Sequence, residues 1–262
     1  MIGGINMITE RFLSAQKPGC QECHRGLYDR PLTMAFQPIV DIRQNTIFAY
    51  EALVRGPNGE SAGSVIQAVT PSELYGFDQA CRVIAIEQAA GLGLGSMSSA
   101  LSINFMPNAV YEPRACIQKT LETAARVGYP KDRLIFEITE GEAVADPRHL
   151  TRIVSAYRAM GFRTALDDFG AGHSNLNLLA QFRPDIIKID MLLIRGIDHD
   201  RGRQSLVRHC VGICAELGID LIAEGIETSA EYEMLKSLGV TFMQGYLLAK
   251  PGWCKLPVLD DI

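Results

Sequence analysis

The sequence of 262 residues lacks a long apolar run, and no stretch approaches the roughly 18 residues of a membrane-spanning helix. The first residues also lack the unbroken apolar centre of a secretory signal, because Asn6, Thr9, Glu10 and Arg11 interrupt them. We therefore expect no membrane segment in this chain and a cytoplasmic location.

An excess of positive charge is also missing, since the formal net charge is −5. A mildly acidic protein is a poor candidate for binding long nucleic acid, which depends on neutralising many phosphates with lysine and arginine. A small phosphate ligand is still compatible with this charge if bound metal ions supply the positive charge.

A disulfide framework is not indicated either. The seven cysteines are an odd number scattered through a long chain, which is typical of reduced thiols in a cytosolic protein. The segment Cys20-Gln21-Glu22-Cys23-His24 matches the pattern for covalent haem attachment. Haem attachment requires export, and no export signal is visible, so haem attachment is the least favoured of three interpretations. A surface redox or metal-binding pair is more plausible, and inert thiols are the most plausible.

Short apolar runs recur from about residue 31 onwards and alternate, later in the chain, with stretches of helical periodicity. The runs predict eight strands, at residues 35–42, 46–54, 100–105, 133–138, 162–166, 185–189, 220–223 and 240–243. Apolar residues at i, i+3 and i+4 predict helices at residues 113–127, 146–160, 202–217 and 229–238.

Continuous apolar strands separated by helices imply a parallel sheet covered on both faces, and eight of them suggest closure into a barrel. Only Arg43, Gln44 and Asn45 join the first two runs. Three residues are too few for a crossover helix, so these runs predict an antiparallel hairpin. We therefore expect an α/β fold, a TIM-like (β/α)8 barrel with an antiparallel first strand. It would occupy residues 31–255 after an N-terminal extension of residues 1–30.

Acidic and amide residues recur near the C-terminal ends of these runs. Alternate residues of a strand share a face, and the strand ends of a parallel barrel meet at one rim. The residues expected to face one cup are Glu51, Asn104, Glu137, Asp167 and Glu224. Any one of them alone is more often a helix cap or a solvated loop residue. Their agreement across most of the strands favours a functional site.

Several carboxylates in one cup repel each other. Two unit charges about 4 Å apart cost roughly 4 kcal/mol at an effective dielectric constant near 20, so cations are needed. A set of oxygen ligands without histidine or cysteine suits Mg²⁺ or Mn²⁺. Asp168 follows Asp167 directly and could help to hold a second ion, as two-metal phosphoryl chemistry requires.

At these residues the chain resembles the EAL-domain family of cyclic di-GMP phosphodiesterases. The motif that names the family is present as Glu51-Ala52-Leu53, and the resemblance runs from about Pro31 to Pro251. Further matching segments are FQPIVD at 36–41, ITE at 138–140, DDFG at 167–170, IKID at 187–190, AEGIE at 223–227 and QGY at 244–246. The tripeptide alone is a weak signal, whereas the set together is specific.

The resemblance implies a barrel with an antiparallel first strand that cleaves one phosphodiester of cyclic di-GMP to give linear pGpG. By the same resemblance, the first of two ions would be held by Glu51, Asn104, Glu137 and Asp167. The second would be held by Asp167, Asp168 and Glu224.

The resemblance also implies roles for residues that are not ion ligands. Lys188 would contact the attacking water or the phosphate, and either Lys188 or Glu224 would take the proton. Support for the water and the metal shell would come from Glu227 and Gln244. Glu140 would anchor the loop that begins at Asp168, and the helix that follows this loop would form a homodimer contact. The substrate site would be lined by Gln37, Leu53 and Arg55.

Two alternatives to this reading stay open. Degenerate family members only bind the nucleotide, but this chain retains every metal-ligand position that can be matched, which favours an active hydrolase over a silent cyclic di-GMP receptor. A barrel enzyme acting on another phosphodiester is the third hypothesis. The family usually has Gly-Thr-Gly-Tyr-Ser-Ser after the paired aspartates, and His173 and Asn175 depart from it. Whether this loop regulates the reaction, or affects its rate, as it does in the family is therefore left open.

Overall fold

The computed structural model describes residues 28–139, 147–170, 179 and 183–259. Within these ranges, no helix combines the length and the apolar character needed to cross a bilayer. The five cysteines in these ranges are free thiols.

Eight of the described strands close into a barrel, which confirms the predicted fold. Neighbours around the barrel follow chain order from β2 to β8, and β1 closes the ring between β8 and β2. The strands are β1 (Thr33–Asp41), β2 (Thr46–Arg55), β3 (Ala100–Phe105), β4 (Leu134–Thr139), β5 (Arg163–Phe169), β6 (Ile186–Ile189), β7 (Asp220–Ala223) and β8 (Phe242–Met243).

The first strand runs against both of its barrel neighbours, as the short connection to β2 predicts. Gln37 lies opposite Glu51 in the antiparallel β1–β2 pair, and Val40 lies opposite Met243 in the β1–β8 pair. All pairs from β2 to β8 are parallel. A short strand that the sequence does not predict, β9 (Gly252–Trp253), pairs with β1 near its beginning.

Helices surround the barrel in the described part of the chain. They are α1 (Ala62–Gln67), α2 (Leu74–Gly91), α3 (Pro113–Cys116), α4 (Gln118–Val127), α5 (Pro147–Ala159), α6 (Met191–Ile194), α7 (Arg201–Leu217) and α8 (Ser229–Ser237). The predicted helix over 113–127 is divided at Ile117, which nevertheless keeps right-handed helical torsion angles. The sequence does not predict α1 or α2. The buried face of α2 includes Asp78, Gln79 and Arg82, so its apolar periodicity is broken.

The interior of the barrel is arranged in layers. One apolar layer takes one residue from each of seven strands: Ile39, Ala49, Ala100, Ile135, Ala165, Ile186 and Ile222. It is separate from the larger core between the strands and the helices. Side chains two residues apart on a strand point the same way. The residues two positions towards the C-terminal rim therefore form the next interior layer, and that layer is polar.

Candidate active site

The polar layer inside the barrel is built by the alternation of the strands. Each member stands two residues along the chain from an apolar residue in or against the layer below, and on the reversed strand β1 the step runs backwards. Glu224 and Gln244 directly follow β7 and β8. The members are Gln37, Glu51, Ser102, Glu137, Asp167, Lys188, Glu224 and Gln244. This layer is where the C-terminal rim of the barrel would carry its chemistry.

Lys188 lies at the centre of this layer and is 1% exposed. Its Nζ lies 2.6 Å from Glu224 Oε1, 2.7 Å from Glu137 Oε2, 3.3 Å from Asp167 Oδ1 and 3.4 Å from Glu51 Oε2. One ammonium cannot neutralise four carboxylates. The layer therefore carries excess negative charge if all four are ionised.

The carboxylates of this layer form two groups in which the ligand atoms all lie within 4.8 Å of one another. One group is Glu51, Glu137 and Asp167, and the other is Asp167, Asp168 and Glu224. Asp167 belongs to both, so two cations bound here would share it. The donors are all oxygen atoms, which fits hard divalent cations such as Mg²⁺ or Mn²⁺.

Asp168 reaches this site because the strand is irregular at this point. Simple alternation would turn Asp168 away from Asp167. The register between β5 and β6 shifts between Leu166 and Phe169, and Asp168 has φ 56°, in the left-handed region. Aspartate tolerates this region better than most residues, although it still costs about 1 kcal/mol. The shift brings two consecutive carboxylates to one site.

The pKa values in the site reflect burial and mutual repulsion. Burial raises the pKa of Glu137 to about 8, and burial followed by Asp167 raises the pKa of Asp168 to about 6. Burial also raises the pKa of Asp167, and it raises that of Glu224 well above the ordinary value. These carboxyls resist ionisation in the absence of a cation.

Glu51 and Lys188 are shifted in favour of their charged forms. Burial acts to raise the pKa of Glu51, but Lys188 and hydrogen bonds from Gln244 and Asn104 outweigh it, so the pKa is lowered. Burial acts to lower the pKa of Lys188, but the surrounding carboxylates outweigh it and hold the pKa well above its ordinary value. Lys188 is therefore a cation in this setting.

Gln37 and Gln244 form a hydrogen-bonded chain that ends on Glu51. Gln37 Nε2 donates to Ala249 O at 3.2 Å, and Gln244 Nε2 donates to Gln37 Oε1 at 3.2 Å and to Glu51 Oε2 at 2.8 Å. Gln244 Oε1 is buried and has no partner among the described residues. An acceptor of this kind is available to a water molecule or a ligand.

A cavity of about 450 Å³ opens above the polar layer, and most of the predicted site residues line it. Glu227 stands at this cavity with its side chain 47% exposed, and its Oε1 lies 2.8 Å from Arg195 Nη2. Residues that line the cavity but have no predicted role include Asp190, Met191 and Tyr246. The predicted residues that line it are Gln37, Glu51, Asp167, Asp168, Lys188, Glu224, Glu227 and Gln244.

Four predicted site residues in the described part of the chain do not line this cavity. Glu137 is buried in the polar layer beneath it, at 1% exposure, and the other three are Asn104, Leu53 and Arg55. Asn104 donates from Nδ2 to Glu51 Oε1 at 2.9 Å, so it contacts the acidic layer from the side. Asn104 and Leu53 line a second cavity of about 310 Å³, which is mainly apolar. Arg55 lines neither of these two cavities, as far as the described residues define them. Its Nη1 donates to Val54 O at 2.8 Å.

Ser102 is a member of the polar layer that the sequence prediction missed. It is 1% exposed, and its hydroxyl contacts Glu137 Oε1 while Lys188 holds Glu137 Oε2. Both oxygens of Glu137 are thereby fixed. The available signal was positional, since Ser102 stands two residues before Asn104 and two after the interior Ala100.

Several predictions fall on residues outside the described ranges. These are the loop anchor Glu140, the segment from Ala171 to Asn175 with His173, and the Cys20 and Cys23 pair. Their assigned or discounted roles stay predictions.

The chain is similar in sequence and in structure to known proteins. Residues 21–251 match the EAL domain family. A standalone EAL protein from Vibrio cholerae O395, solved with cyclic di-GMP bound, has 53% identity and a TM-score of 0.85 over 89% of this chain and 97% of that chain. The Klebsiella pneumoniae BlrP1 complex with calcium and cyclic di-GMP has 33% identity and a TM-score of 0.83 over 88% of this chain and 58% of that chain.

Two curated relatives from Escherichia coli K12 are also similar. The blue light- and temperature-regulated antirepressor BluF is 33% identical over 217 residues, which is 82% of this chain and 53% of BluF. The probable cyclic di-GMP phosphodiesterase PdeD is 28% identical over 233 residues, which is 88% of this chain and 43% of PdeD. The chain thus spans about half the length of these curated relatives.

Proposed function

This chain belongs to the EAL domain family, and from that membership and its site geometry we propose that it hydrolyses cyclic di-GMP to linear pGpG. One observation carries the proposal: two clusters of three carboxylate residues lie beside Lys188, and Asp167 belongs to both clusters. Relatives solved with cyclic di-GMP or named as its phosphodiesterases support the choice of substrate.

The proposed cofactors are two Mg²⁺ or Mn²⁺ ions. Glu51, Asn104, Glu137 and Asp167 would hold the first, and Asp167, Asp168 and Glu224 the second. The raised pKa values of Glu137 and Asp168 support the fit, because carboxyls crowded in this way need a cation to ionise. Two such ions, when bound, neutralise a substrate phosphate and lower the pKa of a bound water.

Lys188 would supply fixed positive charge in the reaction. An ammonium held in its protonated form donates hydrogen bonds and cannot accept a proton. We therefore assign Lys188 to orienting the attacking water and to stabilising negative charge as it develops on the phosphate. The carboxylate oxygen nearest to Lys188 Nζ is Glu224 Oε1, at 2.6 Å. Glu224 is our candidate to accept the proton from the water.

The remaining roles concern orientation and substrate contact. Gln244 Oε1 is free to accept a hydrogen bond from the attacking water, because Gln244 Nε2 is already committed to Glu51 and Gln37. Glu227 would support the same water network at the cavity mouth. Gln37, Leu53 and Arg55 are proposed substrate contacts, and Glu140 is the proposed anchor of the loop after Asp168. Arg55 Nη1 donates to Val54 O, so a phosphate contact through that nitrogen would replace this hydrogen bond.

A silent cyclic di-GMP receptor is the second candidate, because one of the similar curated relatives is an antirepressor. The experiment that separates the two incubates the full chain with cyclic di-GMP and Mg²⁺ and resolves the nucleotides by anion exchange. We expect continuous conversion to pGpG. Binding measured by calorimetry without any product would support the receptor, and a panel of other phosphodiesters would reveal a different substrate.

We further propose a homodimer, on the ground of the family resemblance, and a cytoplasmic location and no binding of long nucleic acid, on the grounds given by the sequence. The barrel of residues 31–255, after an N-terminal extension of residues 1–30, is proposed as one catalytic unit. Sedimentation of the full chain tests the dimer, with a single species of twice the chain mass expected.

A further inference from the structure

An ion pair on α2 is buried outside the polar layer and has no part in the proposed reaction. Asp78 is 3% exposed and Arg82 is 0% exposed, and Arg82 Nη2 lies 2.5 Å from Asp78 Oδ2. Taking two charges out of water costs several kcal/mol per ion, and an apolar pair of similar size often stabilises a fold equally well. Stability alone therefore does not account for this pair.

The second oxygen of Asp78 contacts the end of a barrel strand. Asp78 Oδ1 accepts a hydrogen bond from the backbone N–H of Met106 at 2.9 Å. Met106 directly follows β3 and stands two residues after Asn104, the proposed ligand of the first ion. Asn104 in turn donates to Glu51 Oε1 at 2.9 Å. The ion pair is thus connected to the ion site through three residues of backbone.

The residue between Asn104 and Met106 is also held from outside the barrel. The ring of Phe105 packs 5.6 Å from that of Tyr157 on α5 and 6.0 Å from that of Phe136 on β4. Arg82 is itself fixed, because its Nη1 lies 3.5 Å from Thr120 Oγ1 on α4. Helices α2, α4 and α5 therefore converge on the end of β3.

We infer that Asp78, fixed by Arg82, is a positioning residue that holds Asn104 in place for the first metal ion. The inference rests on the proposed function, because that function gives Asn104 its role. Asp78 satisfies the N–H of Met106 and so fixes the backbone from which the Asn104 side chain reaches Glu51. Outer partners that orient metal ligands typically contribute about 10- to 100-fold to metal affinity.

Two matched double variants test this inference. Asp78→Asn/Arg82→Met removes both charges but keeps a side-chain oxygen for the N–H of Met106. Asp78→Leu/Arg82→Met removes the same charges and the acceptor, with a side chain of similar size. We expect the asparagine variant to bind Mg²⁺ within about threefold of the wild type and the leucine variant about tenfold or more weakly, by isothermal titration calorimetry. If the leucine variant does not fold, Asp78→Ala/Arg82→Met takes its place, because it also lacks the charges and the acceptor.

The route through Asn104 is tested by repeating the comparison in an Asn104→Ala background. If Asp78 acts through Asn104, the difference between the asparagine and leucine variants disappears there. Equal Mg²⁺ affinity of the two double variants, or a difference that persists undiminished without Asn104, would overturn the inference. If the wild type made no pGpG while the two variants still differed in Mg²⁺ affinity, the proposed function would fail and the positioning role would stand.

Discussion

Lys188 Nζ lies 2.6 Å from Glu224 Oε1 in the middle of the acidic layer. Lys188→Met removes this charge and keeps most of the side-chain volume. We expect turnover to fall by about a hundredfold or more, because a group that stabilises developing charge is lost. The KM for cyclic di-GMP should change less than it does in Arg55→Ala. Steady-state kinetics on both variants decide this, and near-normal turnover in Lys188→Met would remove the residue from the chemistry.

Asp168 has a strained backbone conformation and is also a proposed metal ligand. Replacing it should therefore have opposite effects on the melting temperature and on turnover. Asp168→Gly relieves the left-handed conformation and removes one of the crowded carboxylates. We expect a melting temperature in chelator equal to or above that of the wild type, since the strain is worth about 1 kcal/mol. Turnover with Mg²⁺ should fall by about a hundredfold. Asp168→Asn, which tolerates the same backbone, should lose activity without the gain in stability.

Mg²⁺ binding should release protons near neutral pH. Burial raises the pKa of Glu137 to about 8, and burial followed by Asp167 raises that of Asp168 to about 6. Glu137 is therefore largely protonated at pH 7, and a metal ligand must lose its proton. Affinity for Mg²⁺ should rise between pH 6 and pH 8, and the binding heat should depend on the ionisation enthalpy of the buffer. Identical heats in PIPES and Tris, two buffers that bind Mg²⁺ weakly and differ in ionisation enthalpy, would contradict this linkage.

Gly245 follows Gln244 and has no room for a side chain. A Cβ at Gly245 would overlap the backbone of Ile226, whose N–H donates to Gln244 O at 3.2 Å. We expect Gly245→Ala to lower the free energy of unfolding by about 2–3 kcal/mol and to reduce turnover by displacing Gln244. Gly91→Ala is the matched control, because a Cβ there meets nothing within 4 Å. Its stability should be unchanged or higher by up to about 1 kcal/mol in urea titrations.

The barrel and most of the acidic layer could be predicted from the sequence because both depend on the period of a strand. Glu51, Glu137, Asp167 and Glu224 stand at matching positions on parallel strands, and alternation alone brings them to one face. Ser102 follows the same rule but was missed, because a single serine near a strand end carries little chemical signal. Contact with Glu137 is visible only once the strands are in register.

Other features depend on tertiary contacts that a strand pattern does not contain. Asp168 joins the site through a register shift between β5 and β6, which has no signature in a run of alternating residues. Helix α2 was not predicted because Asp78 and Arg82 lie on its buried face, where they form an ion pair with each other. The family resemblance implies a substrate contact for Arg55, whereas in the structure its Nη1 donates to Val54 O.

The most direct test of the proposed function is the rate of pGpG formation by the full chain as metal ions are removed and restored. Cyclic di-GMP would be followed by anion exchange in EDTA, then after addition of excess Mg²⁺, Mn²⁺ or Ca²⁺. We expect no product in EDTA and full recovery with Mg²⁺ or Mn²⁺. Ca²⁺ should bind but support little turnover, because it is larger and tolerates looser geometry. Undiminished pGpG formation in EDTA would contradict the two-metal account.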